Sequence, residues 1–307
     1  MADHDWRSLE RRWQADPGDQ DALHRAIAAR RRAGVSVSGW MLDRCEFPAR
    51  RFDSLLRLDV FVMTLEGRTQ GVGRTPAGGD GLRLPPHRTW WVQPSPSVPL
   101  ADVAKLVHEA EVPGLSLAPS VRDDDLASLV GLPLQRLDLG GCSRVSAAGL
   151  AHVGSLTGLT TLSLWYCTAV DSAALEHLAG LEELTTLNLS HCLRIAAGGL
   201  APLAAMTQLG ALSCQGLTGL GDSGLEPLAA LPRLAVLDLQ RCSITDAGLK
   251  HLAGLPELTL LNLSFCEALT PSGFRALADL NRLAQIHAVG CGLDRHAVGA
   301  VQRTSLP

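Results

Sequence analysis

A phrase of nine residues, in which leucines alternate ahead of a cysteine, returns at a fixed period along the second half of the chain. It appears as LQRLDLGGC, LTTLSLWYC, LTTLNLSHC, LAVLDLQRC and LTLLNLSFC. The cysteines of the series stand at 142, 167, 192, 242, 266 and 291, so successive intervals are 25, 25, 50, 24 and 25 residues. A period of this length is typical of solenoids, in which each unit buries its apolar face against its neighbours.

The interval of 50 residues contains one altered copy. It reads LGALSCQGL, where Cys214 takes a leucine position and Leu217 takes the cysteine position. A degenerate last copy, LAQIHAVGC, ends at Cys291, and a weaker first copy, VPGLSLAPSV, begins near Val112. We therefore predict about eight repeats between residues 112 and 303.

Each column of the phrase has a physical reason. Alternating leucines lie on one face of a short strand and point inward, and the strands of successive repeats stack as parallel neighbours. The cysteine closes the strand, because a small apolar side chain with a weak S–H donor fits an interior turn and can reach a backbone carbonyl. A helix is expected next, with Pro271 at a first helical position. The predicted N-cap column is Ser146, Asp171, Ala196, Gly221, Thr245, Thr270 and Asp294.

The pattern LxxLxLxxC, followed by a phrase such as TDAGL at residues 245–249, resembles the cysteine-containing leucine-rich repeats. The resemblance extends from about residue 112 to residue 303. It implies an α/β leucine-rich repeat solenoid with parallel inner strands and outer helices. It also implies a non-enzymatic protein-interaction scaffold that receives a protein partner on the concave face of the repeats.

Composition limits the other possibilities. Hydrophobic residues are 46% of the chain but aromatic residues only 4%, which suits thin layers of Leu, Ala and Val. A net charge of −4 gives no reason to expect a nucleic-acid or membrane partner. Only Lys105 and Lys250 among the 27 basic residues are lysine, a bias that predicts a bacterial source.

The N-terminal residues and the cysteines bear on location. Residues 1–6 show no apolar signal region, and no stretch approaches the roughly 18 apolar residues of a membrane helix. The cysteines of the series stand singly, one to a repeat, which favours a reducing compartment. We expect a cytoplasmic monomer.

The residues before the repeats are predicted to form three segments. Residues 1–50 form a helical leader, on the spacing of Trp6, Leu9 and Trp13. Residues 51–98 form a small β-rich segment with strands at 60–63, 70–73 and 90–92. The GRTP of this segment, followed by LRLPPHRTWWV, resembles the small β-domains called PEGA. Residues 99–111 are expected to form a capping helix, and residues 112–303 the solenoid.

The residue groups that could form a metal site or a catalytic site are better explained as structural features of the repeats. Metal sites bring pairs such as CxxC to one point, whereas these cysteines stack one per repeat. His152, His177 and His251 share one helix column without a third ligand at suitable spacing. The sequence contains neither a GxSxG elbow nor a phosphate loop with GK[ST]. We therefore predict no enzyme, with no catalytic residue, cofactor or metal.

The exposed columns of the inner face are mostly small and polar. The central column reads Asp138, Ser163, Asn188, Ser213, Asp238, Asn262 and His287. Rare aromatic and basic residues stand beside it, and residues of these types dominate protein interfaces. We call five of them the candidate patch: Trp165, Tyr166, His191, Arg241 and Phe265. Asp238 of the central column is added to them as a candidate partner-binding residue.

Two other functions stay open on the sequence alone. Cysteine-containing repeats occur in F-box proteins, so the chain could be a substrate-recognition subunit of a ubiquitin ligase or a bacterial effector of that kind. That function would require a three-helix N-terminal segment with a Leu-Pro phrase, which residues 1–50 do not show. The third possibility is an enzyme with its active site in residues 1–111.

Overall fold

The computed structural model of the chain describes residues 49–76 and 81–291, together with residues 11, 15, 16, 19, 20, 22, 23 and 26. Ala22, Leu23 and Ala26 are buried. Most residues of the leader helices predicted around Trp6 and Trp13 lie outside the described residues, as does the predicted N-cap Asp294.

Thirteen strands are present in the described residues, and eleven of them form one continuous sheet. The order across this sheet is β13-β12-β11-β10-β9-β8-β7-β6-β5-β2-β3, and β1 pairs with β4 separately. The strands are β1 (Arg50–Phe52), β2 (Leu58–Met63), β3 (Thr69–Thr75), β4 (Leu82–Leu84), β5 (Thr89–Pro94), β6 (Gly114–Ser116), β7 (Arg136–Asp138), β8 (Thr161–Ser163), β9 (Thr186–Asn188), β10 (Ala211–Ser213), β11 (Val236–Asp238), β12 (Leu260–Asn262) and β13 (Gln285–His287).

Strands β6 to β13 are parallel and pair in a register that never slips. Leu137 lies opposite Leu162, and Leu162 lies opposite Leu187, so identical positions of successive repeats are neighbours. In β7 to β12 the central leucine of each strand is buried, while the residues on either side of it face outward. Leu115 of β6 and Ile286 of β13 are buried at the same position. The predicted α/β solenoid with parallel inner strands is confirmed.

The core is a continuous column of leucines that runs the length of the repeats. In most repeats a second leucine follows the strand and is also buried, as at Leu139, Leu164 and Leu189. Cys214 and Leu217, which exchange roles in the altered copy, are both fully buried. A single repeat cannot bury its apolar face by itself, so each repeat is stabilised by packing against the repeats on both sides.

The cysteines that end each phrase bind the previous repeat. The Sγ of Cys167 donates a hydrogen bond to the carbonyl oxygen of Leu139 at 3.1 Å, and that of Cys192 donates to Leu164 at 3.0 Å. Cys142, Cys242, Cys266 and Cys291 make the equivalent bond. The predicted role of these thiols as buried donors to a backbone carbonyl is confirmed.

The helical segments on the outer side are shorter and tighter than predicted. The α-helices are α1 (Leu100–Ala110), α2 (Asp123–Leu126), α3 (Ala147–Val153) and α4 (Asp246–Leu252). The segments Ala127–Leu129, Ala173–Leu178, Ala201–Ala205, Ser223–Ala230 and Gly273–Leu277 are 3-10 helices. Segments this short make few of the i to i−4 bonds that favour an α-helix, and Pro202 and Pro227 lack a donor.

The N-cap predictions hold only for the α-helical repeats. Ser146 and Thr245 are N-caps whose hydroxyl oxygens accept from the backbone N–H two residues later. The placement of Pro271 at the first helical position is wrong, because that 3-10 helix begins at Gly273. Asp171 likewise precedes the helix that begins at Ala173, although its carboxylate still accepts a hydrogen bond from the N–H of Ala174 at 3.0 Å.

A second ladder of side chains joins the repeats on the outer side. The carboxylate of Asp222 accepts hydrogen bonds from both the N–H and the hydroxyl of Thr245, at 2.7 and 2.6 Å. Asp246 accepts the same pair from Thr270, at 2.8 and 2.5 Å, and Asp123 does so from Ser146. These carboxylates fix the start of the following segment, so they couple neighbouring repeats.

The β-rich residues before the repeats continue the solenoid instead of standing apart from it. Val92 of β5 pairs in parallel with Leu115 of β6, and β2 pairs with β5 in the antiparallel sense. Val60 and Trp90 are buried in the same cluster as the leucine column. The helix predicted within residues 99–111 is present as α1, Leu100–Ala110. Sheet and core therefore pass without a break into the first repeat.

Candidate partner-binding surface

In seven successive repeats, those of β7 to β13, one equivalent backbone position has a left-handed conformation. It lies in the turn between strand and cysteine, and we call these seven residues the turn column: Gly141, Tyr166, His191, Gly216, Arg241, Phe265 and Gly290. Their φ angles lie between 59° and 78°. Three repeats carry glycine there, which adopts this conformation without steric strain. The other four carry large side chains, and these are four of the five residues of the candidate patch.

The turn column is held in this conformation by backbone pairing. The N–H of Tyr166 donates to the carbonyl of Ser190 at 2.9 Å, and the N–H of His191 donates to that of Gln215 at 2.7 Å. The N–H groups of Arg241 and Phe265 make the same bond to the next repeat. The parallel ladder thus extends past each three-residue strand. A side chain at this position must accept the backbone angle that the ladder imposes.

The large side chains of the turn column lie against the next repeat. The rings of Tyr166 and His191 have centroids 5.6 Å apart, and Trp165 lies 5.5 Å from Tyr166. The guanidinium of Arg241 lies 5.0 Å from the centre of the Phe265 ring. His191 in turn covers Gly216, where a Cβ would lie 2.7 Å from the imidazole Nδ1. The patch therefore consists of two stacked clusters in one line, separated by the Gly216 repeat.

The exposed aromatic side chains among the described residues of the solenoid all belong to the patch. Trp165 is 47% exposed, Tyr166 50% and Phe265 40%, and Arg241 is also exposed. His191 is half-buried between Tyr166 and Gly216. A surface cleft of about 700 Å³ begins beside the second cluster and is lined by Arg241, Cys242, Ser243, Thr245, Phe265, Glu267 and Ala268. The patch thus offers aromatic surface and one accessible cation at the edge of the concave face.

Asp238 has a structural contact that the sequence analysis did not anticipate. Its carboxylate accepts a hydrogen bond from the N–H of Gln240 at 2.9 Å, just before the turn column. Asp138, Asn188 and Asn262 make the same bond two residues ahead in their own repeats. The central column therefore shapes the turn in these four repeats.

Burial makes the cysteine thiols poor nucleophiles. It raises the pKa of Cys142, Cys192 and Cys242 to about 12 each, and that of Cys266 to about 11. All seven cysteines from Cys142 to Cys291 are free. In the part of the chain that the structure describes, no three His, Cys, Asp or Glu side chains are grouped to hold a metal ion. None of its helices combines the length and the apolar composition needed to cross a bilayer.

Comparison with known families agrees with the repeat geometry. A model of the family described as Leucine Rich repeat matches residues 234–253, which contain β11, the turn with Arg241 and helix α4. The same strand, turn and helical segment recur at 24 or 25 residues on either side. The described residues form a leucine-rich repeat solenoid.

Two solved structures from Listeria monocytogenes are similar to this chain. Internalin C2 is 22% identical, and the match covers 65% of this chain and 80% of internalin C2, with a TM-score of 0.49. Internalin inlF is 21% identical, and the match covers 65% of this chain and 55% of inlF, with a TM-score of 0.44. No curated protein matches the sequence.

Two features of this surface were not predicted from the sequence. The left-handed turn was one, although Gly141, Gly216 and Gly290 align with the four large residues and could have indicated it. The position of Arg136 was the other. Its guanidinium lies 4.6 Å from the centre of the Trp91 ring, in the β-rich segment.

Proposed function

We propose that this leucine-rich repeat protein is a non-enzymatic scaffold that binds a protein partner along the turn column and the adjoining concave face. The candidate patch supplies the anchors: Trp165 and Tyr166 in one cluster, Arg241 and Phe265 in the other, and His191 beside Tyr166. Trp, Tyr and Arg are the residue types that contribute most to protein interfaces. Asp238 is proposed as an acceptor between the concave face and the second cluster.

One observation carries this proposal: bulky exposed side chains occupy left-handed positions where glycine would suffice. A non-glycine residue in this conformation costs on the order of 1 kcal/mol or more. Stacking returns about 0.5–1.5 kcal/mol for an aromatic pair and about 0.5–1 kcal/mol for an exposed cation over a ring. The strain and the stacking energy nearly cancel, so the stability of the fold gives no reason to prefer Tyr166 or Phe265 over glycine. Binding of a partner by these side chains would give such a reason.

Site-specific photocrosslinking tests the location of the interface. A benzophenone amino acid is placed at position 265, or at position 193 as the control, because Leu193 is also exposed but lies outside the patch. We expect a discrete crosslinked protein from the cell lysate with the probe at 265 and none at 193. Equal products from both positions, or products at 193 only, would contradict the proposal.

The finer family assignment is also a proposal. The thiol-to-carbonyl bond made by six of the described cysteines supports placing the repeats in the cysteine-containing subgroup. We further propose that residues 51–98 and helix α1 cap the first repeat, which the pairing of β5 with β6 supports. The resemblance to PEGA domains, the bacterial source and the cytoplasmic location stay predictions. The F-box-like alternative depends mainly on residues outside the described ranges, and no observation favours it.

A further inference from the structure

A row of side chains crosses the junction between the β-rich segment and the first repeats. Phe61 of β2 pairs with Trp91 of β5, and their rings stack with centroids 5.7 Å apart and planes 14° apart. Gly114 of β6 pairs with Arg136 of β7, which pairs with Thr161 of β8. These residues therefore lie side by side on the outward-facing surface of the sheet.

Gly114 allows the two halves of this row to touch. A Cβ at this position would lie 2.7 Å from the Cβ of Trp91 and 3.1 Å from the Cβ of Arg136. Such distances leave no room for any other residue. Because β6 carries no side chain here, Arg136 of β7 reaches across it and lays its guanidinium 4.6 Å from the centre of the Trp91 ring. The contact between Arg136 and Trp91 therefore depends on the close backbone approach of β5, β6 and β7 at Gly114.

The charge of Arg136 is poorly compensated in this position. Its Nε is buried and has no hydrogen-bond partner within the described residues. Burial lowers the pKa of Arg136, and Asp138 on the same strand acts in the opposite direction. No ion pair of Arg136 with an acidic side chain is found in residues 49–76 and 81–291. A half-buried guanidinium of this kind normally has a carboxylate or phosphate partner.

The Arg136 side chain faces a small polar cleft. The cleft has a volume of about 280 Å³ and is lined by Met63, Gly67, Arg88, Thr89, Gln135, Arg136, Thr160 and Thr161. Arg88 is held in place by a hydrogen bond from its Nε to the carbonyl oxygen of Leu65 at 3.0 Å. The cleft thus has two arginines, hydroxyl groups from three threonines, and no acidic side chain among its lining residues.

We propose that this cleft binds a small carboxylate, with Arg136 as its main contact and Arg88 and Thr161 beside it. The planar guanidinium presents two parallel N–H groups to a carboxylate, and stacking on Trp91 fixes its plane in advance. The chain already shows a bidentate pair elsewhere, because Arg74 donates from Nε and Nη2 to the two oxygens of Asp59 at 2.8 and 3.1 Å. The Nε of Arg136 is buried, so its two Nη groups would be the donors. At Arg136 the protein supplies the guanidinium, and the ligand would supply the carboxylate. The inference does not rest on the turn column, so either proposal can fail without the other.

The proposal is tested on the full chain by NMR of arginine side chains labelled with ¹⁵N. A buried Nε–H exchanges slowly with water, so the Nε–H signal of Arg136 is expected to be visible and is assigned by its loss in Arg136→Thr. Acetate, inorganic phosphate and chloride are each titrated at constant ionic strength. We expect a saturable shift of the Arg136 signal with acetate, weaker binding of phosphate, and no saturation with chloride.

Matched variants decide whether the cleft is responsible. Arg136→Thr installs the residue that Thr161 and Thr186 place in the same column, so the fold should tolerate it. Calorimetric binding of acetate should weaken about tenfold or more in this variant, the loss expected for a charge-assisted pair. Arg74→Gln is the control, and it should bind acetate as the wild type does. Unchanged binding in Arg136→Thr, no saturable shift in the wild type, or tighter binding of phosphate than of acetate would each overturn the proposal.

Discussion

The ring of Tyr166 lies 5.6 Å from the imidazole of His191, the residue at the same position of the next repeat, and both backbones have φ of 61°. The contact joins two residues whose backbones are each in the left-handed conformation, which is unfavourable for a residue other than glycine. The repeats on either side of them have Gly141 and Gly216 at this turn. The fold therefore accepts glycine at this turn, and the large side chains of Tyr166 and His191 are not needed to form it.

Glycine at position 166 should leave the fold nearly as stable as it is. Tyr166→Gly loses the stacking on His191 but removes the left-handed strain, so we expect the free energy of unfolding to change by less than about 1 kcal/mol. Tyr166→Val keeps the strain and adds a branched Cβ, and should lose about 1–2 kcal/mol. Urea unfolding followed by circular dichroism measures both. A larger loss in the glycine variant than in the valine variant would show that Tyr166 is held by its packing and not by binding.

The leucine column should be the part of the molecule most sensitive to substitution. Leu189 is fully buried, and Leu189→Ala should lower the free energy of unfolding by about 2–5 kcal/mol, because it leaves a cavity between two repeats. Leu193 lies only four residues further on but is 54% exposed. Leu193→Ala should change stability by less than about 0.5 kcal/mol. Similar losses for the two variants in urea unfolding would be incompatible with the core described above.

The buried thiols make stability depend on alkaline pH. Burial raises the pKa of Cys192 and of Cys242 from an ordinary value of 9.0 to about 12. In the unfolded chain these thiols ionise near 9, so the stability associated with them is complete below that pH and is lost as the pH rises toward 12. The Tm should therefore fall between pH 9 and pH 11.

A double variant provides the control for this pH dependence. Cys192→Ala combined with Cys242→Ala is less stable at pH 7 but should show a shallower fall of Tm between pH 9 and pH 11. Native wild-type protein at pH 8 should also resist alkylation by iodoacetamide at both positions, as shown by peptide mass spectrometry. Rapid alkylation of Cys192 in the native state would contradict the burial of this column.

The carboxylate ladder on the outer side should have the opposite pH dependence. Burial opposes ionisation of Asp246, but hydrogen bonds from Thr270 and Ser272 outweigh it and lower the pKa of Asp246 below its ordinary 3.8. Its contribution is therefore present above pH 4 and lost as the pH falls below that value. Asp246→Asn should cost about 1 kcal/mol at pH 7. The difference from wild type should shrink in urea unfolding at pH 3, whereas Asp279→Asn at an exposed position should match wild type at both pH values.

The structural features that recur in every repeat could be predicted from the sequence. Alternating leucines determined which face of each strand is buried, and the size of cysteine determined the closing turn, so the sheet and both buried columns were predicted correctly. The type of helix was not predictable in the same way. Segments of five to eight residues lie near the balance between α and 3-10 geometry, and Pro202 and Pro227 shift that balance in two of them.

The surface was harder to predict, for two physical reasons. The left-handed turn is imposed by backbone pairing between repeats, and Tyr166 or Phe265 gives no local indication of it. The contact of Arg136 with Trp91 depends on the register of β5 against β6, and on the absence of a side chain at Gly114. That register joins a β-rich segment to a repeat, so periodicity within the repeats carries no information about it.

The affinity of the partner crosslinked at position 265 tests the central claim most directly. It is measured by calorimetry for wild type and for a variant in which Tyr166, His191, Arg241 and Phe265 are all glycine. A variant with Leu193→Ala and Val130→Ala, two exposed positions outside the patch, is the control. We predict that the glycine variant keeps its Tm but binds at least about a hundredfold more weakly, while the control binds normally. Equal affinity of all three proteins would contradict the account.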